Sequence, residues 1–86
     1  MKLIGKLING TTIVNEKAVE KEDDDLSFRD LLEANFIALC KELDISVPLW
    51  LKRNTTEFAR FQKTFFTKDQ FVESVKFDKF EIKIEY

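Results

Sequence analysis

The chain has 86 residues, 44% of them apolar, and a net charge of −2, which bounds it to one small domain (1–86) with a core of its own. One Cys excludes an internal disulfide, and the absence of His removes both a Cys/His metal set and every His-based nucleophile pair. Two Gly and one Pro argue against a linker, while nine Phe supply buried area at low entropy cost.

Lys2–Ile8 and Thr11–Glu20 are β-rich runs either side of Asn9-Gly10, a strong hairpin signal. A two-residue turn at Asn9-Gly10 pairs Ile8 with Thr11, and a bulged turn shifts that register by one. Leu3 and Leu7 lie on one face and Ile4 and Ile8 on the other, so the pattern leaves the inward face open. Glu20–Asp25 is a charge-dense connection whose spacing lacks the alternating ligands and turn Gly of a calcium loop.

Ser27–Leu43 carries the clearest helical period. Ser27 and Asp30 have cap-and-N3 spacing, and Leu26 and Leu31 can close over the first turn. Phe28, Leu32, Phe36, Leu39 and Leu43 share one face, which predicts that all five enter the core. Ile37 points with the charged residues and is a candidate partner contact. Cys40, at the margin of the apolar face, reads as a small buried thiol.

After the helix, Ile45-Ser46-Val47-Pro48 stops it, since Pro48 disfavours helix at Val47, and Pro48 can open a short turn carrying Leu49, Trp50 and Leu51. Asn54-Thr55-Thr56-Glu57 and Thr67-Lys68-Asp69-Gln70 each have cap spacing, which predicts two short helices in the middle of the chain. Phe80, Ile82, Ile84 and Tyr86 alternate with charged residues as a half-buried strand. The expected architecture is α+β in ββαααβ order: a three-stranded antiparallel sheet on one main helix (27–43), with two short helices.

The run Val47-Pro48-Leu49-Trp50-Leu51, followed by Asn54-Thr55, Glu57-Phe58-Ala59-Arg60-Phe61 and Asp69-Gln70-Phe71, resembles a family of small uncharacterised proteins from low-GC Gram-positive bacteria. The likeness extends over most of the chain, including the hairpin start and Phe77-Asp78-Lys79-Phe80. It implies a compact bacterial cytoplasmic domain and brings no activity with it.

The chemistry expected is correspondingly sparse. Gly5 and Gly10 are wrongly placed for a phosphate-cradling loop, no spacing selects a carboxylate pair, and so small a chain leaves little room for a ligand cleft. A non-enzymatic domain without cofactor or metal follows. No run reaches membrane-spanning length and Met1–Gly10 lacks a signal-peptide core, so a cytoplasmic setting without membrane contact is expected.

Charge is divided along the chain. Glu16–Asp44 is strongly acidic, whereas Lys52–Lys68 holds Lys52, Arg53, Arg60, Lys63 and Lys68 against Glu57 alone. Two functions compete. The first is contact with a protein partner or with itself, through a sheet edge or an apolar patch, with Ile37, Trp50, Arg53, Arg60 and Lys63 as candidate contacts. The alternative is weak nucleic-acid binding by the basic aromatic segment 52–68, rings stacking on bases and cations meeting phosphates.

Overall fold

In the computed structural model, which describes residues 1–85, the first and last strands lie side by side at the centre of one sheet. The elements are β1 (Lys2–Asn9), β2 (Thr12–Glu20), α1 (Phe28–Glu42), α2 (Lys52–Phe61), β3 (Lys63–Thr67), a single 3-10 turn (Lys68–Gln70) and β4 (Lys79–Glu85). The sheet is antiparallel, in the order β2-β1-β4-β3. The expected three strands and three helices are thus corrected to four strands and two α-helices. Tyr86, expected in the terminal strand, lies outside the described residues.

The missing strand is β3, which follows α2 after one residue. Gln62 ends the helix at φ 58°, with its N–H on the Phe58 carbonyl at 2.8 Å. This is the left-handed cap position that Gly usually fills. With Gln there, nothing in the sequence punctuates helix from strand. Thr64 and Phe66 then point inward opposite Ile82 and Phe80, and Lys63, Phe65 and Thr67 face outward.

The hairpin forms in neither expected register. Asn9 pairs with Thr12 and Ile8 with Ile13, so the two turn residues are Gly10 and Thr11. Gly10 has φ +62°, and a tight hairpin that begins with positive φ takes Gly at its first central position. Val14 is then an extra residue, because Leu7 pairs with Asn15. The bulge lies in β2 alone, and β1 stays regular with Leu3, Gly5 and Leu7 facing inward.

All the helical cover lies on one side of the sheet. Leu3, Leu7, Phe66, Phe80, Ile82 and Ile84 from the strands meet Phe36, Leu39, Cys40 and Leu43 from α1 and Phe58 from α2. Gly5 allows the close approach of α1: a Cβ there would stand 2.8 Å from Leu39 Cδ2 and 3.0 Å from Phe80 Cε1. Phe36 stacks on Phe66 and Phe80 with ring centroids 5.3 and 6.1 Å apart, so the Phe-rich composition is concentrated at this contact. Each such ring contributes roughly 1.5–3 kcal/mol by leaving water.

Ser27 caps α1 as expected, its hydroxyl accepting from the Asp30 N–H at 3.2 Å. Asn35, buried inside α1, ties the helix to the end of the hairpin. Its amide donates to the carbonyls of Leu31 and Lys21 and accepts from the Lys21 N–H. Two expectations about this part of the chain fail. Phe28 is 56% exposed rather than in the core; the buried residues of α1 begin at Asn35, about two turns further on. Residues 45–51 are irregular, so Pro48 opens no helical turn; Leu49 instead donates to the Gln70 carbonyl at 2.7 Å.

Candidate functional site: an apolar cleft between the two helices

The segment that leaves α1 crosses to α2 without regular structure, and the two helices stay apart at the surface. A cleft of about 800 Å³ opens between them. Phe36 and Phe58 form its floor and belong to the core. Phe28, Leu32 and Ile37 line it from α1, Val47, Pro48 and Trp50 from the crossing segment, and Thr55 and Ala59 from α2. Its charged lining residues are Arg29 and Glu33. The expectation that so small a chain lacks room for a cleft is therefore corrected. The volume falls in the range of ligand pockets.

Trp50 fixes the wall. Its ring meets Phe36 edge-on at 5.6 Å and Phe58 at 5.7 Å, and its indole N–H donates to Thr55 Oγ1 at 2.8 Å. The polar edge is thus satisfied while part of the ring still faces the cleft. Around it Phe28, Val47 and Ile37 keep 56%, 47% and 38% of their surface in water. One exposed apolar side chain is ordinary, but several around one depression form a patch.

Of the five candidate contacts, Ile37 and Trp50 come together here, and Arg53, Arg60 and Lys63 do not line the cleft. Arg53 is held by its neighbours. Nη1 donates to Glu57 Oε1 at 3.3 Å, Nη2 to Gln70 Oε1 at 2.6 Å, and the guanidinium lies 4.7 Å from the centre of the Phe65 ring. Arg60 lies over Phe61 at 5.5 Å, and Lys63 sits on the open sheet face opposite Lys83. In the basic segment Phe58 and Phe66 are buried, while Phe61 is exposed and Phe65 is half-buried under Arg53 and Lys79.

A second constellation, beside the cleft, is polar and buried. Asn54, expected to cap α2, lies inside its first turn, because the helix begins at Lys52. Its Oδ1 accepts from the Leu51 N–H, and its Nδ2 donates to Thr64 Oγ1 and the Phe65 carbonyl, all within 2.9 Å. Gln70 donates to Asn54 Oδ1 and the Leu49 carbonyl and accepts from the Thr67 N–H. The Thr64 hydroxyl donates to Glu57 at 2.7 Å. These groups meet each other's hydrogen-bonding needs, so the cluster works as a clamp. It also occupies the outer edge of β3, since the Phe65 carbonyl and the Thr67 N–H are engaged by side chains. Among the described residues the outer edge of β2 is covered by no other element, and Asn15 Oδ1 accepts from the Glu16 N–H of the same strand.

Reactive groups are scarce. Cys40 is buried, and desolvation pushes its thiol up to about 12 from 9.0, which keeps it protonated. The Thr67 hydroxyl donates to Asp69 and, with a backbone hydrogen bond, holds that carboxyl below its ordinary value. Among the described residues no group of His, Cys, Asp and Glu is arranged to hold a metal ion, and no helix is long and apolar enough to cross a membrane. A shallower depression of about 510 Å³, on the side of Leu43 and Phe77, contains Ser46, whose Oγ is buried without a hydrogen-bond partner.

Most of the cleft was hidden in the sequence. Phe28 and Leu32 look like core positions by periodicity, and Val47 looks like a helix stop. Comparison of the chain with protein-family models, curated proteins and solved structures gives no match.

Proposed function

We propose that this is a non-enzymatic domain that works by protein–protein contact, with the cleft between α1 and α2 as its contact surface. The observation that carries this reading is the ring of exposed apolar residues, Phe28, Ile37 and Val47, around an aromatic wall that the core holds in place. Trp at the centre of an apolar patch with a satisfied N–H has the character of a binding hot spot. The lining offers one carboxylate, Glu33, and no paired acid and base, which favours binding over turnover.

Affinity capture from native cell extract tests this. Wild-type bait is expected to retain a partner that Ile37→Glu bait loses and Lys83→Glu bait, altered on the open sheet face, keeps. Equal retention by all three baits would remove the cleft from the account.

The second reading, single-stranded nucleic acid on segment 52–68, is supported by exposed Phe61 with Arg60 beside it. It ranks lower because Phe58 and Phe66 are closed inside the core and Arg53 is already engaged. Oligonucleotide binding that falls steeply with salt and is lost in Arg60→Ala would reverse the order.

A further inference from the structure

The side of the cleft formed by α1 has a pattern that fits itself. Arg29, Glu33 and Ile37 follow one another at four-residue spacing and form one row, with Phe28 and Leu32 in the row beside it. All five line the cleft. Arg29 and Glu33 have opposite charge and stand one turn apart, yet the ion pairs among the described residues join other groups: Met1 to Glu22, Lys2 to Glu85, Arg53 to Glu57 and Lys68 to Asp78.

We infer that the partner of this surface is a second copy of the chain, with α1 of one protomer antiparallel to α1 of the other about a two-fold axis level with Leu32. This inference rests on the cleft being a contact surface. In a two-fold interface the same patch serves both partners, so residues on opposite sides of the axis must suit each other. An axis level with Leu32 runs the two Arg29–Glu33–Ile37 rows against each other, so that each Arg29 comes to the partner's Glu33. That pair is centred on residue 31, about 1.5 Å from the level of Leu32 on a helix that rises about 1.5 Å per residue, within the reach of an Arg side chain. Half-buried Leu32 meets its own copy at the centre. A parallel arrangement sets Arg29 on Arg29 and Glu33 on Glu33, so charge selects the antiparallel one.

The uncovered edge of β2 suits a second copy less well. A two-fold pairing centred on Glu16 or Lys17 faces that charge with itself, and the bulge at Val14 bends the strand.

Sedimentation velocity over a concentration series, with circular dichroism to confirm folding, tests the inference. The wild-type protein is expected to pass from 10.2 kDa toward twice that mass. Arg29→Glu and Glu33→Arg, both at exposed positions, should each weaken association about tenfold or more, because two attractive contacts become repulsive. The double variant, and an equimolar mixture of the two single variants, should regain the wild-type mass. The mixture is decisive, because contacts within one helix cannot account for its recovery. A wild-type mass fixed at 10.2 kDa, association indifferent to either reversal, or a mixture that fails to recover would each overturn the second-copy assignment. If the protein is monomeric and Ile37→Glu still loses a native partner, the assignment to a second copy fails while the cleft remains a contact surface.

Discussion

Asn54 shows how much one side chain can organise. It is fully buried and joins the start of α2, the strand β3 and, through Gln70, Leu49 of the crossing segment. Asn54→Ala leaves several buried partners without a hydrogen bond, and urea unfolding should register a loss of about 2–4 kcal/mol. Cys40 gives a second test at this scale. Its folded thiol holds a proton to about 12, whereas an unfolded thiol releases it near 9.0. The raised folded value means its contribution to stability is complete below pH 9 and is lost as pH rises toward 12. Thermal melts should therefore show a steeper alkaline decline for the wild-type protein than for Cys40→Ala. Alkylation of the native thiol should proceed at the rate at which the core opens.

The elements differ in how far sequence alone revealed them, and the difference has physical causes. The main helix was legible because Ser27 and the leucine spacing state the same thing twice. Ser27→Ala should cost about 1 kcal/mol, read as a lower urea midpoint at unchanged slope. The hairpin was legible in kind and wrong in register, because Gly10 needs the first central position of the turn and displaces Asn9 into the strand. Replacing Gly10 by Ala forces a residue with a Cβ into that left-handed position and should destabilise by about 1 kcal/mol. Strand β3 escaped notice because Gln62 turns the chain without Gly or Pro, and because Phe65 and Phe66 resemble a continued apolar helix face. Thr67-Lys68-Asp69-Gln70 carried a true cap signal, with Gln70 accepting from the Thr67 N–H, but the element it opens is one turn long.

At the scale of the whole molecule, the sheet has one edge closed by side chains and one left open, and its helical side has a cleft rimmed by apolar groups. Sequence named Ile37 and Trp50 as candidate contacts and put Phe28 and Leu32 in the core, since periodicity identifies the apolar face of a helix without showing which of its turns are covered. The central claim is that this rim is where the molecule meets its partner, first of all a second copy. Its most direct test is a dilution series followed by amide and indole N–H chemical shifts. The account predicts concentration-dependent shifts at residues 28–37, at Val47 and at the Trp50 indole, with β2 and the open sheet face unmoved. Shifts confined to residues 12–20, or none at any concentration, would contradict it.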